Sequence, residues 1–207
     1  MRFEDWEPHY AAILEYFGFD READEDAARL LAELAGGRDD IGVLEKLVRG
    51  KSVTVCGNAP NLAKELDRIE GTVLAADAAA EVLVGHGIQP DAVFTDLDGA
   101  TDIFIDLSRQ GTVMVVHAHG DNIPLLRHWV PRLPGPLVAT TQAAPIPGVH
   151  NFGGFTDGDR AVFAADELGA AEIRIIGFDL ADRDVDPLKR GKLYWAGRLL
   201  HLIGYDL

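Results

Sequence analysis

The 207-residue chain is 47% apolar and 26% charged, the balance of a soluble globular protein with one sizeable core and room for a small second lobe. Its formal net charge of -15 repels nucleic acid, and no apolar run approaches membrane-spanning length, so neither a nucleic acid nor a membrane is an expected partner. The lone cysteine, Cys56, excludes an intramolecular disulfide and a cysteine-built zinc cluster, and the acidic, aromatic start MRFEDWEPHY is unlike a signal peptide, so a cytoplasmic location is expected.

Residues 1–50 read as helices. WEPHYAAILEYFGF carries an apolar stripe through Tyr10, Ile13, Leu14 and Phe17; ADEDAARLLAEL follows, Gly36-Gly37 is a stop, and DIGVLEKLV closes the region. A small amino-terminal helical lobe packed on a second unit, residues 51–207, is the expected organisation.

From Ser52 the pattern changes to short β-rich runs: SVTVCG, TVLAAD, AVFTD, TVMVVHAHGD, LVATTQ and EIRIIGFD. None alternates strictly, which is how strands covered on both faces read. With the helix-like NLAKELDRI, AAAEVLVGHG, NIPLLRHWV and DRAVFAADELG between several of them, the chain predicts an α/β fold built on a mostly parallel sheet with helical crossovers. The proline-rich PRLPGPLVATTQAAPIPG supports no long helix. Each strand is followed by polar residues: Gly57-Asn58, Asp77, Asp96 with Asp98, His117 to Asn122, Thr140 to Gln142, and Asp179. In an open parallel sheet all of these lie at the carboxyl edge, where ligands bind.

Each cluster has a structural reading beside the functional one. CGNAPNL suits a tight strand-to-helix turn, whose amides could also cradle a phosphate, although neither the dinucleotide fingerprint nor a P-loop is present. Asp77 could cap the following helix or face a ligand. In TDLDG, Asp96 and Asp98 share a parity if extended geometry continues, so both could point at one cation while Leu97 anchors the turn; a solvated acidic turn is the alternative. HAHGDN offers His117, His119 and Asp121, a set better suited to a polar strand end or a further metal or phosphate contact than to zinc, with Asn122 as an orienting amide or a helix cap. Thr156 and Asp159 nearly form a capping box, and Asp157 and Arg160 stand at the same helix start. The preceding NFGGF is a candidate lid. Lys189 and Lys192 near the start of the last helix are ordinary surface lysines or phosphate contacts.

Taken in order, CGNAPNL, AADAA, GIQPDAVFTDLDG, HAHGDN, NFGGFTDGDRA and IIGFD resemble the archaeal 6-hydroxymethyl-7,8-dihydropterin pyrophosphokinase family, whose catalytic domain is related to that of thiamine pyrophosphokinases. The resemblance runs from about Lys51 to the end and implies a three-layer, Rossmann-like catalytic domain that transfers diphosphate from ATP to a reduced pterin and releases AMP, as in folate- or tetrahydromethanopterin-type biosynthesis. It further implies Mg²⁺, or Mn²⁺, on Asp96 and Asp98 with Asp121 as a further acidic contact. Gly57, Asn58, Asp77, His119, Asn122, Thr156, Asp157, Arg160, Asp179, Lys189 and Lys192 would then bind the substrates, and Asp121 or Asp77 would accept the hydroxyl proton. Thiamine is the alternative acceptor. A haloacid-dehalogenase-like phosphatase with Asp96 as nucleophile is a third reading, although that motif would normally lie on an earlier strand. Apolar residues of the helical lobe and around Trp195 could serve a homodimer.

Overall fold

The computed structural model describes residues 1–207. Its centre is a seven-stranded sheet in the order β6-β5-β4-β3-β2-β1-β7, in which every adjacent pair is parallel. The strands are β1 (Ser52–Cys56), β2 (Thr72–Ala76), β3 (Ala92–Thr95), β4 (Val113–Ala118), β5 (Leu137–Thr141), β6 (Val149–His150) and β7 (Glu172–Ile176). The predicted α/β class holds, and the sheet is fully rather than mostly parallel. Chain order runs outward from β1 to β6 and then returns to the other side of β1 with β7. That reversal opens a crevice between the turns after β1 and β7, the usual ligand position in such sheets.

Helices cover both faces. One core cluster joins α2 (Arg21–Ala35), α4 (Ala79–Gly85), α5 (Asp102–Arg109) and α6 (Ile123–Trp129) to Val73, Val93, Met114, Val116 and Ala139 of the sheet. The other joins α3 (Ile41–Val48), α7 (Asp157–Glu167) and Leu200 of α8 (Pro187–Leu202) to Val53, Val55, Leu74, Phe94, Val113 and Val115. Neighbouring residues such as Val113 and Met114 enter opposite clusters because side chains alternate across a strand. Both faces are therefore apolar, which explains why the strands lacked alternation in the sequence.

A third cluster lies beyond the carboxyl edge, where Trp6, Tyr10 and Ile13 of α1 (Phe3–Phe17) pack with Phe155, Phe163 and Trp195. Trp6 is fully buried, and its indole N–H donates to the Gln142 carbonyl at 2.9 Å. α1 is thereby tied to the end of β5, and α2 to the sheet itself.

Two expected elements differ. NLAKELDRI does not form an α-helix but two short 3-10 turns, Leu62–Lys64 and Leu66–Arg68. Glu65 reaches out of this segment to accept from the Gly177 amide at 2.8 Å, pinning it to the turn after β7. DIFIDLSR, not singled out by sequence, is the amphipathic α5, burying Phe104, Leu107 and Ser108. No helix is long and apolar enough to cross a membrane.

Replacing Trp6 by alanine removes a large buried ring together with a buried hydrogen bond. The expected loss is about 3–5 kcal/mol, read as a lowered urea midpoint with an unchanged far-ultraviolet spectrum below the transition.

Candidate active site

A cavity of ≈ 560 Å³ lies at the carboxyl edge of the sheet. Its lining includes Gly57, Asn58, Asp77, Asp96, Asp98, His119, Asp121, Thr156, Asp157, Arg160, Asp179, Lys189 and Lys192, each singled out from the sequence. Asn122 is different. It is 2% exposed and does not line the cavity; its amide donates to the carbonyls of Asp96 and His117, each at 2.7 Å, and its Oδ1 accepts from the His119 amide at 3.1 Å. Asn122 thus ties the ends of β3 and β4 together, and with His119 it forms the capping box of the 3-10 turn Gly120–Asn122.

The shared parity expected for Asp96 and Asp98 fails at Leu97. Its side chain is buried in the core as expected, but its backbone takes φ 73°, a region that costs a branched residue strain. The turn folds back so that the Leu97 amide donates to Thr95 Oγ1 at 2.8 Å and the Asp98 amide to Asp96 Oδ1 at 3.1 Å. Asp96 is left buried and Asp98 exposed.

The carboxylates that converge are Asp77, Asp96 and Asp157, whose oxygens lie within 4.8 Å of one another. Asp98 and Asp121 line the same cavity outside this group. Asp77 leaves β2 with φ 46°, and Thr95 Oγ1 donates to its Oδ1 at 2.6 Å. It does not cap α4, whose N-cap position is Ala78. The approach of Asp77 requires a glycine at 99, because a Cβ there would lie 2.0 Å from Asp77 Oδ2. Asp157 opens α7, where the predicted Thr156–Asp159 capping box is present. The Phe155 and Thr156 amides each donate to Asp159 at 2.7 Å.

NFGGF is consequently not a free lid. Gly153 and Gly154 are buried at φ 86° and 85°, and a Cβ on Gly154 would meet Arg160 Cα at 2.7 Å. The segment is packed against the helix it introduces.

The cluster is short of cations. Burial raises Asp77 to about 6, with the negative charges of Asp96 and Asp98 adding to the rise despite the Thr95 hydrogen bond. Burial likewise holds Asp157 well above the usual carboxylate range, reinforced by Asp96 and only partly opposed by Arg160, 3.2 Å away. Asp98, although open to solvent on one side, is raised by partial desolvation against the site and by the charge of Asp96. At Asp96 burial acts upward too, but hydrogen bonding from His119, whose Nε2 is 3.4 Å from Oδ2, and the charge of Arg160 hold it below the usual range. A buried set of hard oxygen donors with an unmet negative charge suits a divalent cation such as Mg²⁺. Burial pushes the Cys56 thiol up to about 12, so it offers no thiolate nucleophile.

The cavity has two dissimilar ends. One holds Asn58, Phe178 and Asp179, beside the crevice between β1 and β7. The other, toward β5, holds Asp24, Gln142, Phe19 and Phe155. Asp24 escaped the sequence reading because ADEDAARLLAEL looked like an ordinary charged helix face. A signal was present: Asp24 stands in line with Ala27, Ala28, Leu31 and Ala35, the buried stripe of α2.

Comparison with known proteins agrees with this geometry. A family profile described as "MptE-like: 6-hydroxymethylpterin diphosphokinase MptE-like" matches residues 28–185. Three curated relatives carry the name 6-hydroxymethyl-7,8-dihydropterin pyrophosphokinase. That of Methanothermobacter thermautotrophicus is 41% identical, covering 97% of this chain and 94% of the relative. Those of Pyrococcus furiosus and Methanocaldococcus jannaschii are 44% and 34% identical, covering 87% and 86% of this chain and 79% and 80% of theirs. The chain belongs to this family.

Asp77→Asn keeps an acceptor for Thr95, tolerates the positive φ, and removes a carboxylate whose ionisation burial opposes. Because the folded-state value lies above the unfolded one, ionisation costs stability above pH 6 and that cost is absent well below pH 4. The metal-free variant should therefore melt about 2–8 °C above the wild type at pH 7.5, with the difference shrinking toward pH 4. Mg²⁺ should raise the wild-type melting temperature and leave that of the variant nearly unchanged, both read by calorimetry.

Proposed function

We propose, from this family membership and the site geometry, that the protein transfers the β,γ-diphosphate of ATP to the hydroxymethyl oxygen of 6-hydroxymethyl-7,8-dihydropterin. The hydroxyl oxygen attacks the β-phosphorus, the bond from that phosphorus to the α–β bridging oxygen breaks, and AMP leaves. The observation that carries the reading is the meeting of Asp77, Asp96 and Asp157 with Arg160, His119 and Lys192 in one cavity of a chain whose curated relatives bear the name of this activity. The sheet is read as a thiamine pyrophosphokinase-like catalytic domain, with residues 1–50 as its helical lobe.

Asp96, with Asp77 and Asp157, would hold Mg²⁺ or Mn²⁺, with Asp98 and Asp121 as further acidic contacts. When bound, the cation supplies Lewis-acid polarisation of the polyphosphate oxygens and neutralises charge that the acidic cluster would otherwise repel. The chain's own cations complete the balance. Arg160, 8% exposed and anchored on Asp157, has a buried Nε–H without a partner, and Lys192 lies close enough to Asp98 to act on its ionisation. Lys189 and Lys192 would receive the polyphosphate from the crevice between β1 and β7, where Gly57, Asn58 and Asp179 line the nucleotide side.

Asp121 stands on the turn after β4, between the β3 cluster and the β5 end of the cavity. From there it would accept the proton released by the hydroxymethyl group. His119 orients Asp96 through its 3.4 Å contact. The phosphatase reading gains no support, because Asp96 follows the third strand rather than an earlier one and the chain's relatives bear the pyrophosphokinase name.

Asp96→Asn should lower AMP formation from ATP and the reduced pterin by about 100-fold or more, while the variant still folds. Full AMP-forming activity in that variant would overturn the site assignment. Absence of AMP in wild-type reactions with the reduced pterin and Mg²⁺ would overturn the reaction.

A further inference from the structure

The β5 end of the cavity contains a polar arrangement that neither metal binding nor phosphate binding uses. Gln142 follows β5, is 3% exposed, and lines the cavity. Its backbone carbonyl is held by the Trp6 indole at 2.9 Å and the Asn151 amide at 3.0 Å. Its side-chain Nε2 donates to Asp24 Oδ2 at 2.8 Å. That bond fixes which way the amide faces, because a carboxylate accepts and does not donate. Gln142 Oε1 is left buried with no hydrogen-bond partner.

Such an atom carries an unmet desolvation cost unless something donates to it. Asp24 does not reverse its direction. The Asp24 carboxylate also accepts from Tyr10 Oη at 2.8 Å and from the Gly120 amide at 2.9 Å, so three of its roughly four lone-pair positions are filled. What Gln142 and Asp24 leave for a ligand is acceptors only. Beside them stands an aromatic wall, in which Phe17 lies 5.1 Å from Phe155 and 5.2 Å from Phe19, with Phe19 and Phe155 lining the cavity. A flat heterocycle against this wall would need adjacent N–H donors on the edge that meets Gln142.

We propose that Gln142, oriented by Asp24, is the specificity-determining residue for the acceptor, its Oε1 accepting from the 2-amino and N3–H edge of the reduced pterin. This rests on the diphosphate-transfer reading above. The chemistry separates the candidates: the 2-amino-4-oxopyrimidine edge of a pterin presents two neighbouring donors, whereas the aminopyrimidine of thiamine and the six-membered ring of adenine each present an amino group beside a ring-nitrogen acceptor. Those acceptors would face Oε1 or Asp24 lone pair to lone pair. The site would thus refuse thiamine and adenine at Gln142.

The arrangement agrees with the strand order. From β5 to β3 is two strands and from β3 to β7 is three, so at about 4.8 Å per strand the acid cluster stands roughly 10 Å from the Gln142 end and 14 Å from the β7 turn. A pterin ring with its hydroxymethyl arm spans the shorter distance, and an adenosine with its phosphates the longer.

The test is steady-state AMP formation by wild type and Gln142→Met with 6-hydroxymethyl-7,8-dihydropterin and with its analogue lacking the 2-amino group. Wild type should prefer the pterin over the analogue by about 10- to 100-fold in kcat/KM. Gln142→Met should raise KM for the pterin by a similar factor, leave KM for ATP within about twofold, and abolish the preference. Equal rises in both KM values would mark a structural role and overturn the proposal, as would a wild type indifferent to the 2-amino group. That second result needs no variant and stands even if Gln142→Met misfolds. No AMP from wild type with either acceptor would instead refute the transfer reading on which the proposal rests.

Discussion

Three carboxylates whose oxygens lie within 4.8 Å of one another, in a largely buried setting, cannot all carry full charge without compensation, and the carboxyl edge is organised around that fact. The compensation available inside the chain is partial. Arg160 is committed to Asp157, and His119 to Asp96, so that Asp77 and Asp157 remain raised while Asp96 is held below the usual carboxylate range. The backbone conforms to the crowding. Asp77 and Leu97 are the non-glycine residues with positive φ, and each stands at a strand end feeding this cluster. Strain of about 1–3 kcal/mol at such a residue persists only where the surroundings overdetermine it, and here Thr95, Gly99 and the buried Leu97 side chain do so.

Topology turns this local crowding into an ordered site. A fully parallel sheet places every strand-end loop on one edge, and the order β5-β4-β3-β2-β1-β7 sets Gln142, His119 with Asp121, Asp96, Asp77, Asn58 and Asp179 in a row. α7 packs on one face of the sheet and begins at that row, where its first turn contributes Asp157 and Arg160. The reversal between β1 and β7 opens the row at one end, and the first turns of α8 bring Lys189 and Lys192 to it. The cavity therefore carries its lysines among the carboxylates Asp179 and Asp182, its densest acidic cluster at the centre, and Asp24 with Gln142 toward β5.

The sequence carried the fold well because apolar runs without alternation have few interpretations once helices separate them. It carried less well the elements whose form depends on partners distant in the chain. NLAKELDRI has helical periodicity, but the bond from Glu65 to the Gly177 amide and the short reach to β2 hold it in 3-10 turns. The positions of the site residues were legible as strand ends, since Asp77, Asp96 and Asp179 each close an apolar run. Their grouping was not. Parity along TDLDG suggested Asp96 with Asp98, and Asp98 does lie beside Asp96, but the positive φ of Leu97 redirects the turn and further carboxylates reach Asp96 from β2 and α7, which the sequence did not show. Asn122 shows the same limit: a side chain beside a ligand motif can serve the backbone alone, and only its three internal hydrogen bonds reveal that.

The amino-terminal helices bear on function as well as on packing. α2 brings Asp24 to the cavity, the link between α1 and α2 brings Phe19, and α1 fixes the Gln142 carbonyl through Trp6. None of these residues belongs to the sheet, yet Asp24 and Phe19 join Gln142 and Phe155 in lining the cavity toward β5. The groups proposed to meet phosphate and cation come from strand ends, α7 and α8; those proposed to meet a flat, donor-bearing ring come largely from the first helices. Changes confined to α1 and α2 could therefore alter which heterocycle is accepted without disturbing the carboxylates at the centre. Because Asp24 also ties the Gly120 amide to α2, the same carboxylate that orients Gln142 sets the height of the turn carrying Asp121. Acceptor recognition and proton removal would then share one anchor, so that a ring seated correctly against Gln142 presents its hydroxymethyl group to the turn that serves it.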